Sequence, residues 1–439
     1  MNKYKSIKRK SLSLLLVVAL VIAMAVPAFA LSASTNVEIE DELYIDFYEL
    51  GFVEVMDYAD LLYLLEDELA REGFIETQRL MNIQAPAIAA YNVLMYDFWT
   101  EVNGNWDFVF PDNYAGAYVK YDTLIILLTD ISEDAIAFYV ELLGTDVSVV
   151  FEQVDFSWNQ LTSFGEVFVE AVTDTAMPIT GFGVDTMTNS FIISLDKTNY
   201  MSTDFINDFN ITTRFLPIPI VFELDEPLEL YSLQGGTEIT RHGRLGGFSV
   251  GLTGARRGQP WQPVLLTTGH AFPNAPVGTE VRRNNQPIGT LASYRVGQFS
   301  AGNPGTVNGD WAIIHLNSTG AQMVTNQIRS GQRIQGIVNT SPVGTLVRGT
   351  GSRTLSWAGT VQRVNFDAWA PQIGTTITGL TKVDYQIPTA SVPTGGDSGG
   401  TIWTISSNQN LLAGVLVGSY GSDRWLFSPM QWSWSLFQL

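Results

Sequence analysis

Two stretches of opposite charge meet near residue 230 of this chain, and this division favours a fold with more than one body. Residues 31–230 hold 37 acidic and 5 basic side chains, a net charge of −32, whereas residues 231–439 hold 7 acidic and 14 basic side chains, a net charge of +7. Opposite net charges attract each other. We therefore expect two folded bodies that bind each other, although acidic residues that serve only solubility would produce the same division.

The first 30 residues have the layout of a secretory signal peptide. Five basic residues lie within the first ten positions, an apolar run spans Leu12–Val26, and Pro27 precedes the small-residue pattern Ala28-Phe29-Ala30. This order predicts cleavage after Ala30 and an extracellular protein of bacterial Sec type, with no membrane contact after cleavage. An uncleaved membrane anchor is the alternative, because the apolar run with its flanks approaches spanning length.

Cysteine is absent from the chain. Its absence excludes disulfides, thiolate metal sites and a cysteine nucleophile. A secreted form of this protein must therefore be stabilised by its core alone, or by a high barrier to unfolding.

Residues 31–230 interleave acidic charges with periodic apolar positions, which is typical of a folded α/β (α+β) region and not of a disordered acidic tail. Helical spacing over Asp57–Glu72 predicts a helix that ends at Gly73. A strand–helix–strand unit is predicted next, made of Ala117–Thr129, Ser132–Leu143 with Gly144 after it, and Val147–Val154.

A similar sequence pattern recurs later in the acidic region. Segment 181–196 resembles segment 116–130, and segment 220–225 resembles segment 149–154. We therefore expect small α/β modules in tandem, near 116–154 and 181–225, while a chance likeness of apolar segments stays open.

Residues 231–439 consist of short β-type runs separated by Gly, Asn, Pro and Ser, which indicates an all-β sandwich or a pair of barrels. The proline-containing stretch Leu216–Gln234 reads as the connection between the two bodies. The clearest runs are Gly247–Leu252, Val264–Thr268, Trp311–Leu316, Leu355–Val364 and Leu411–Val417.

The sequence GGDSGG at Gly395–Gly400 is typical of a nucleophile on a tight turn. Attack on a carbonyl creates an oxyanion, which preorganised backbone N–H groups stabilise, and glycine lets the substrate approach them. We predict Ser398 as the nucleophile, with the N–H groups of Gly396 and Ser398 as the oxyanion hole.

A serine hydroxyl needs a base, and the chain has three histidines. His270 follows an apolar strand directly and is the predicted base. His242 lies in a polar segment and is expected at the surface, and His315 is expected to point away from the site.

A buried carboxylate must orient the base. Asp310 opens the apolar run Trp311–Leu316, where burial is expected, and is the predicted third member of a triad. Asp397 adjoins the nucleophile but is expected to point away from it, as a structural ion-pair or hydrogen-bond partner.

Three segments together resemble the chymotrypsin-like serine endopeptidases, and within them the bacterial streptogrisin and alpha-lytic protease branch. They are Thr268-Gly269-His270, Asp310-Trp311-Ala312-Ile313-Ile314 and Gly396-Asp397-Ser398-Gly399-Gly400. The resemblance covers roughly Leu233–Leu439. It implies a C-terminal domain of two six-stranded antiparallel β-barrels with the triad between them, and peptide-bond hydrolysis through an acyl-enzyme without a cofactor or a metal. Phe427-Ser428-Pro429 is similar to the family's last-strand motif, before a short helix around Trp432–Phe437.

The resemblance also indicates a substrate site. Val417, Gly418 and Ser419 look like the wall of the primary specificity pocket, although Val417 stands where the family often has a serine that touches the catalytic aspartate. Ala271 stands where many relatives have a disulfide cysteine. The residues before the serine motif, Ser391–Thr394, carry no charge. We therefore expect cleavage after apolar or small neutral residues.

Relatives of this type are made with an N-terminal pro-region that assists folding and inhibits the enzyme. The resemblance thus implies a zymogen, with residues 31–230 as an acidic pro-region, residues 231–439 as the protease domain and autocatalytic processing near Glu229–Gly236. A template would help a slow-folding all-β domain. The implied partners are protein or peptide substrates and the protein's own pro-region, with no nucleic acid, and the protein is expected to be a monomer.

Two other functions stay open at this point. One is a catalytically silent relative that serves as a binding module. The other is an esterase, although the G-x-S-x-G pattern and the Ser-Asp-His chain order of that class are not found here. The glycine-containing run Arg348–Ser352 lacks the strand-to-helix context of a phosphate loop and is predicted as a turn.

Overall fold

A computed structural model describes residues 68–102, 105–144, 147–172, 179–197, 218–230, 239–241, 247–248, 253–255, 263–272, 275–283, 286–296, 308–322, 333–351, 353–354, 356–385, 392–407, 409–421 and 423–432. The chain divides into two units, Met1–Tyr44 and Ile45–Leu439, and all described residues belong to the second. The predicted signal peptide, the predicted helix start at Asp57, His242 and most of the predicted processing range lie outside the described residues.

The described residues up to 230, called the acidic body below, form three helices and nine strands. These are α1 (Glu68–Phe98), β1 (Trp99–Val102), β2 (Asn105–Phe108), β3 (Tyr114–Lys120), β4 (Thr123–Leu128), α2 (Glu133–Leu143), β5 (Ser148–Gln153), α3 (Trp158–Val172), β6 (Ile179–Asp185), β7 (Ser190–Asp196), β8 (Ile220–Asp225) and β9 (Leu228–Leu230).

The described residues from 239 onwards, called the basic body, are almost entirely β-structure. Their strands are β10 (Ile239–Arg241), β11 (Gly247–Phe248), β12 (Thr253–Ala255), β13 (Pro263–Thr267), β14 (Glu280–Arg283), β15 (Gln286–Val296), β16 (Asp310–Leu316), β17 (Gly336–Ile337), β18 (Leu346–Thr350), β19 (Trp357–Ala370), β20 (Thr375–Asp384), β21 (Thr401–Ser406), β22 (Gln409–Tyr420) and β23 (Arg424–Pro429). A short helix α4 (Ser318–Ala321) and two 3-10 turns, Gly269–Ala271 and Met430–Trp432, complete it.

Helix α1 continues through Gly73 and Pro86, so the predicted helix end at Gly73 is wrong. An interior glycine disfavours a helix by only about 1 kcal/mol relative to alanine, and tertiary packing outweighs that amount. The buried apolar residues of α1 belong to two clusters. Met81 lies in a cluster with side chains of the basic body, and Leu94 lies in the core of the acidic body.

The two segments of the acidic body that resemble each other have the same strand pairing. β3 and β4 form an antiparallel hairpin and β5 runs parallel to β4, just as β6 and β7 form a hairpin and β8 runs parallel to β7. Helix α2 connects β4 to β5. The Ser132 side chain accepts a hydrogen bond from the N–H of Ala135 in the first turn of α2. The helix ends before Gly144, whose φ is 71°. Glycine suits this left-handed conformation at a helix end.

The basic body contains two sheets that match the predicted all-β character. The first has the order β11-β10-β14-β15-β16-β13-β12. In the second, β18, β21, β22, β23, β20 and β19 pair antiparallel in that order, and β18 also pairs with β19, so these six strands form a closed cycle. Two complete six-stranded barrels stay a prediction.

The second sheet extends into the acidic body. β19 pairs antiparallel with β6, and β22 pairs with β9. Helix α1 packs on β18 and β21. Within the described ranges, no helix has the length and apolar character needed to cross a membrane.

Charged residues add to this contact in the way that the opposite net charges predict. Arg363 and Lys382 of the basic body are 9% and 0% exposed, and their carboxylate partners come from the acidic body. The pairs, called the ion cluster below, are Lys382–Glu223 (2.8 Å), Lys382–Asp225 (2.8 Å), Arg363–Glu223 (3.0 Å), Arg363–Asp185 (3.4 Å) and Arg424–Asp225 (2.5 Å).

Candidate active site

His270 and Asp310, the predicted base and its orienting carboxylate, are in contact. The His270 ring nitrogen Nδ1 contacts Asp310 Oδ2, and the His270 backbone N–H donates to Asp310 Oδ1 at 2.8 Å. The two side chains are 4% and 0% exposed. Because the carboxylate engages Nδ1, the other ring nitrogen, Nε2, is the one that can accept a proton.

The sheet explains how residues so far apart in sequence meet. β13 and β16 are antiparallel neighbours, with Thr267 opposite Ala312. The C-terminal end of β13 and the N-terminal end of β16 therefore lie side by side at the same end of the sheet. Gly269 makes the close approach possible, because a Cβ atom there would overlap the carbonyl oxygen of Arg295.

Asp310 is also tied to the second sheet. Its backbone N–H donates to Ser428 Oγ at 2.7 Å, and the N–H of Gly309 donates to the Thr378 carbonyl at 2.7 Å. Ser428 was not among the predicted site residues. Its position in the Phe427-Ser428-Pro429 segment was the available signal, but a sequence does not reveal which backbone N–H a serine accepts.

The loop around Ser398 is a compact turn with two left-handed glycines, Gly396 (φ 103°) and Gly399 (φ 82°). Backbone hydrogen bonds hold the loop together and join it to β22. These bonds run from Asp397 N to Thr394 O, from Gly400 N to Asp397 O and from Gly399 N to Leu416 O.

Asp397 is fully buried, and its side chain stabilises this loop through hydrogen bonds. Its Oδ1 accepts hydrogen bonds from the backbone N–H groups of Arg353 (2.8 Å) and Thr354 (3.1 Å), and its Oδ2 accepts one from Thr394 (2.8 Å). The prediction that Asp397 is a structural hydrogen-bond partner is confirmed.

No hydrogen bond joins Ser398 Oγ to His270 Nε2 among the described residues. Ser398 Oγ donates to the Val417 carbonyl at 3.1 Å, and His270 Nε2 is buried with no hydrogen-bond partner among the described residues. In β22, Val415 lies opposite Ser428, which holds Asp310, and the next residue, Leu416, holds the serine loop. Ser398 and Asp310 are therefore both attached to the β22–β23 pair, at neighbouring positions of β22.

The predicted substrate-binding residues lie at the end of β22. Val417 is fully buried in an apolar cluster, whereas Gly418 and Ser419 pair with β9 of the acidic body. Val417 offers no hydroxyl to Asp310. The hydroxyl that reaches Asp310 is that of Ser428, and it contacts the backbone and not the carboxylate.

His315 does not join the site. It lies within β16, opposite Val264 and Thr290, and partial burial lowers its pKa. In the part of the chain that the structure describes, no group of three or more His, Asp or Glu side chains is placed to hold a metal ion.

Solved structures that match part of this chain include bacterial proteases. They include Cellulomonas bogoriensis chymotrypsin (25% identity, 97% of that chain, TM-score 0.32), Thermobifida fusca protease A (25%, 96%, 0.34) and Nocardiopsis protease (23%, 96%, 0.32). Each match covers 47% of this chain. No family model and no curated protein matches the chain.

Proposed function

We propose that this protein is a serine endopeptidase with His270, Asp310 and Ser398 as its catalytic triad. The observation that carries the proposal is the buried contact between His270 Nδ1 and Asp310, which leaves Nε2 buried without a hydrogen-bond partner among the described residues. An imidazole held in this way can act as a general base that accepts a proton at Nε2. Catalytic hydrogen bonds often form only when substrate binds.

The roles of the three residues follow from this arrangement. His270 Nε2 accepts the proton of Ser398 Oγ as the oxygen attacks the peptide carbonyl, and then gives that proton to the leaving amine. Asp310 stabilises the imidazolium in between. The backbone N–H groups of Gly396 and Ser398 stabilise the oxyanion. Water then releases the acyl group by the same route, and no cofactor takes part.

The wider proposal is a secreted zymogen that acts on protein or peptide substrates as a monomer. The acidic body is the pro-region, which assists folding of the basic body and inhibits it until autocatalytic processing near Glu229–Gly236. The ion cluster and the pairing of β9 with the substrate-binding residues support this role. The uncharged residues Val392–Thr394 support a preference for apolar or small neutral residues before the cleaved bond.

A covalent serine-directed inhibitor tests the triad. We expect a fluorophosphonate to label Ser398 in the secreted product and to label neither Ser398→Ala nor His270→Ala, as detected by mass spectrometry of the digested protein. His315→Ala is the matched control and should label like wild type. Equal labelling of His270→Ala and wild type would contradict the assignment of the base.

Processing has its own test in the same expression experiment. If it is autocatalytic, Ser398→Ala should accumulate as the uncleaved chain, whereas normal processing of that variant would assign the cut to another protease.

A further inference from the structure

Strand β9 lies along the edge of β22 that the proposed substrate site uses. Leu228–Leu230 pairs antiparallel with Gly418–Tyr420, which overlaps the predicted substrate-binding residues. The other edge of this part of β22 is taken by β23, since Gly418 also lies opposite Leu426. A peptide that adds a strand to a sheet edge is a common form of recognition. β9 thus has the position of a bound peptide.

The register of this pairing relates β9 to Ser398. The serine loop bonds to the same edge of β22, through Gly399 and Leu416, and Ser398 Oγ donates to the Val417 carbonyl. Leu230 lies opposite Gly418. A peptide that continues in this register brings its next residue opposite Val417, beside Ser398. The bond to be cut is the one after that residue.

Counting back from that bond makes Leu228 the fourth residue before it. Leu228 is fully buried in an apolar cluster that includes Val417, Tyr420 and Phe366. Every other described member of the cluster lies after residue 290. The basic body therefore supplies all the other described residues of this cluster, and together they form an apolar pocket around the Leu228 side chain, as an enzyme does for a substrate side chain.

We propose that this apolar pocket is a specificity site that selects leucine, or an apolar side chain of similar size, at the fourth position before the cut bond. By the same count, the chain's own maturation bond is Tyr231–Ser232, where hydrolysis adds water and leaves a carboxylate on Tyr231 and an amino group on Ser232. Tyr231 lies outside the described residues, and its assignment comes from counting along the chain. The inference rests on the proposed function, because it needs Ser398 as the nucleophile.

Peptide substrates test the specificity site in trans. The processed secreted enzyme is assayed on Leu-Glu-Leu-Tyr-p-nitroanilide and on the same peptide with alanine or methionine in the first position. Loss of a buried leucine side chain predicts a kcat/KM that is roughly ten- to hundredfold lower for the alanine peptide. The methionine peptide should stay within about threefold of the leucine peptide, because the two side chains have similar volumes.

The outcomes separate this inference from the proposed function. Equal kcat/KM for the leucine and alanine peptides, in an enzyme whose Ser398 is labelled by the fluorophosphonate, would overturn the specificity site alone. Absence of both labelling and peptide cleavage would overturn the proposed function and this inference with it.

The full chain tests the same site in cis. We expect the mature protein to begin at Ser232 by mass spectrometry, and Leu228→Ala to slow its appearance roughly tenfold, while Leu228→Met processes at nearly the wild-type rate. Leu224→Ala is the matched control, because Leu224 is 54% exposed on the neighbouring strand. A mature protein that begins elsewhere would refute the register, and equal slowing by Leu224→Ala would refute the pocket.

Discussion

At the scale of single residues, Asp310 shows how one carboxylate is fixed from several directions. Its two oxygens are engaged by the side chain and the backbone of His270, and its own N–H is engaged by Ser428. All of these groups are buried, so each hydrogen bond lost would leave a polar group without water. The orientation of His270 thus depends on a serine of another sheet.

Replacement of Ser428 by alanine should weaken this arrangement. The variant leaves the Asp310 N–H buried without an acceptor, which lowers the free energy of unfolding by about 1–3 kcal/mol. We expect kcat/KM to fall roughly tenfold as Asp310 shifts. Denaturant unfolding and peptide hydrolysis measure the two effects.

Ser341→Ala provides the control for this variant. Ser341 is fully buried, but its hydroxyl has no hydrogen-bond partner among the described residues. Its loss should change neither quantity. Wild-type activity and stability in Ser428→Ala would show that Asp310 does not need the contact.

The motifs that predict the triad are local in sequence, whereas the contacts that support these residues are not. Ser398, His270 and Asp310 stand in local patterns that only a few residues define. Ser428 supports Asp310 across 118 positions, and such a contact depends on how two sheets pack. At Val417, where the family often has a serine that touches the catalytic aspartate, the side chain packs into an apolar cluster.

At the scale of elements, the amide side chain of Gln84 adds hydrogen bonds to the apolar contact between helix α1 and the basic body. Gln84 Nε2 donates to the Gly344 carbonyl at 2.8 Å, and Gln84 Oε1 accepts from the Leu346 N–H at 2.8 Å. The side chain therefore satisfies two backbone groups next to β18, as a neighbouring strand would do. The periodicity of the sequence predicted a helix in this region but ended it at Gly73, because a glycine signal is local and this attachment is not.

Gln84→Ala should loosen α1 from β18. Two buried backbone groups lose their partners, so we expect the free energy of unfolding to fall by about 2–4 kcal/mol. Hydrogen exchange should also become faster at the Leu346 amide. Asn82→Ala, at an exposed position of the same helix, should leave both measurements unchanged. Slow exchange at Leu346 in Gln84→Ala would contradict this role.

At the scale of the whole molecule, the division of charge seen in the sequence becomes a buried contact. Burial alone would raise the pKa of Glu223, but the charges of Lys382 and Arg363 outweigh it and lower that pKa to about 2. The carboxylate therefore stabilises the folded state fully above its ordinary pKa of about 4.5. This stabilisation is lost as the pH falls towards 2.

Glu223→Gln should remove this contribution. We expect the variant to have a lower free energy of unfolding than wild type at pH 7, and the difference should shrink between pH 4.5 and pH 2. Denaturant unfolding at a series of pH values measures it. Glu141→Gln, at an exposed position of α2, should behave as wild type throughout. A difference that stays constant down to pH 2 would show that the loss is one of packing and not of charge.

The closed cycle of six strands in the basic body leaves few places where a further strand can be added. Two such places are occupied in this chain, the edge of β19 by β6 and the edge of β22 by β9. An exposed strand edge is a template for pairing between molecules. We therefore expect the acidic body to limit self-association, because the basic body without it would present both edges to other copies. Concentrated stocks should keep best as the uncut chain.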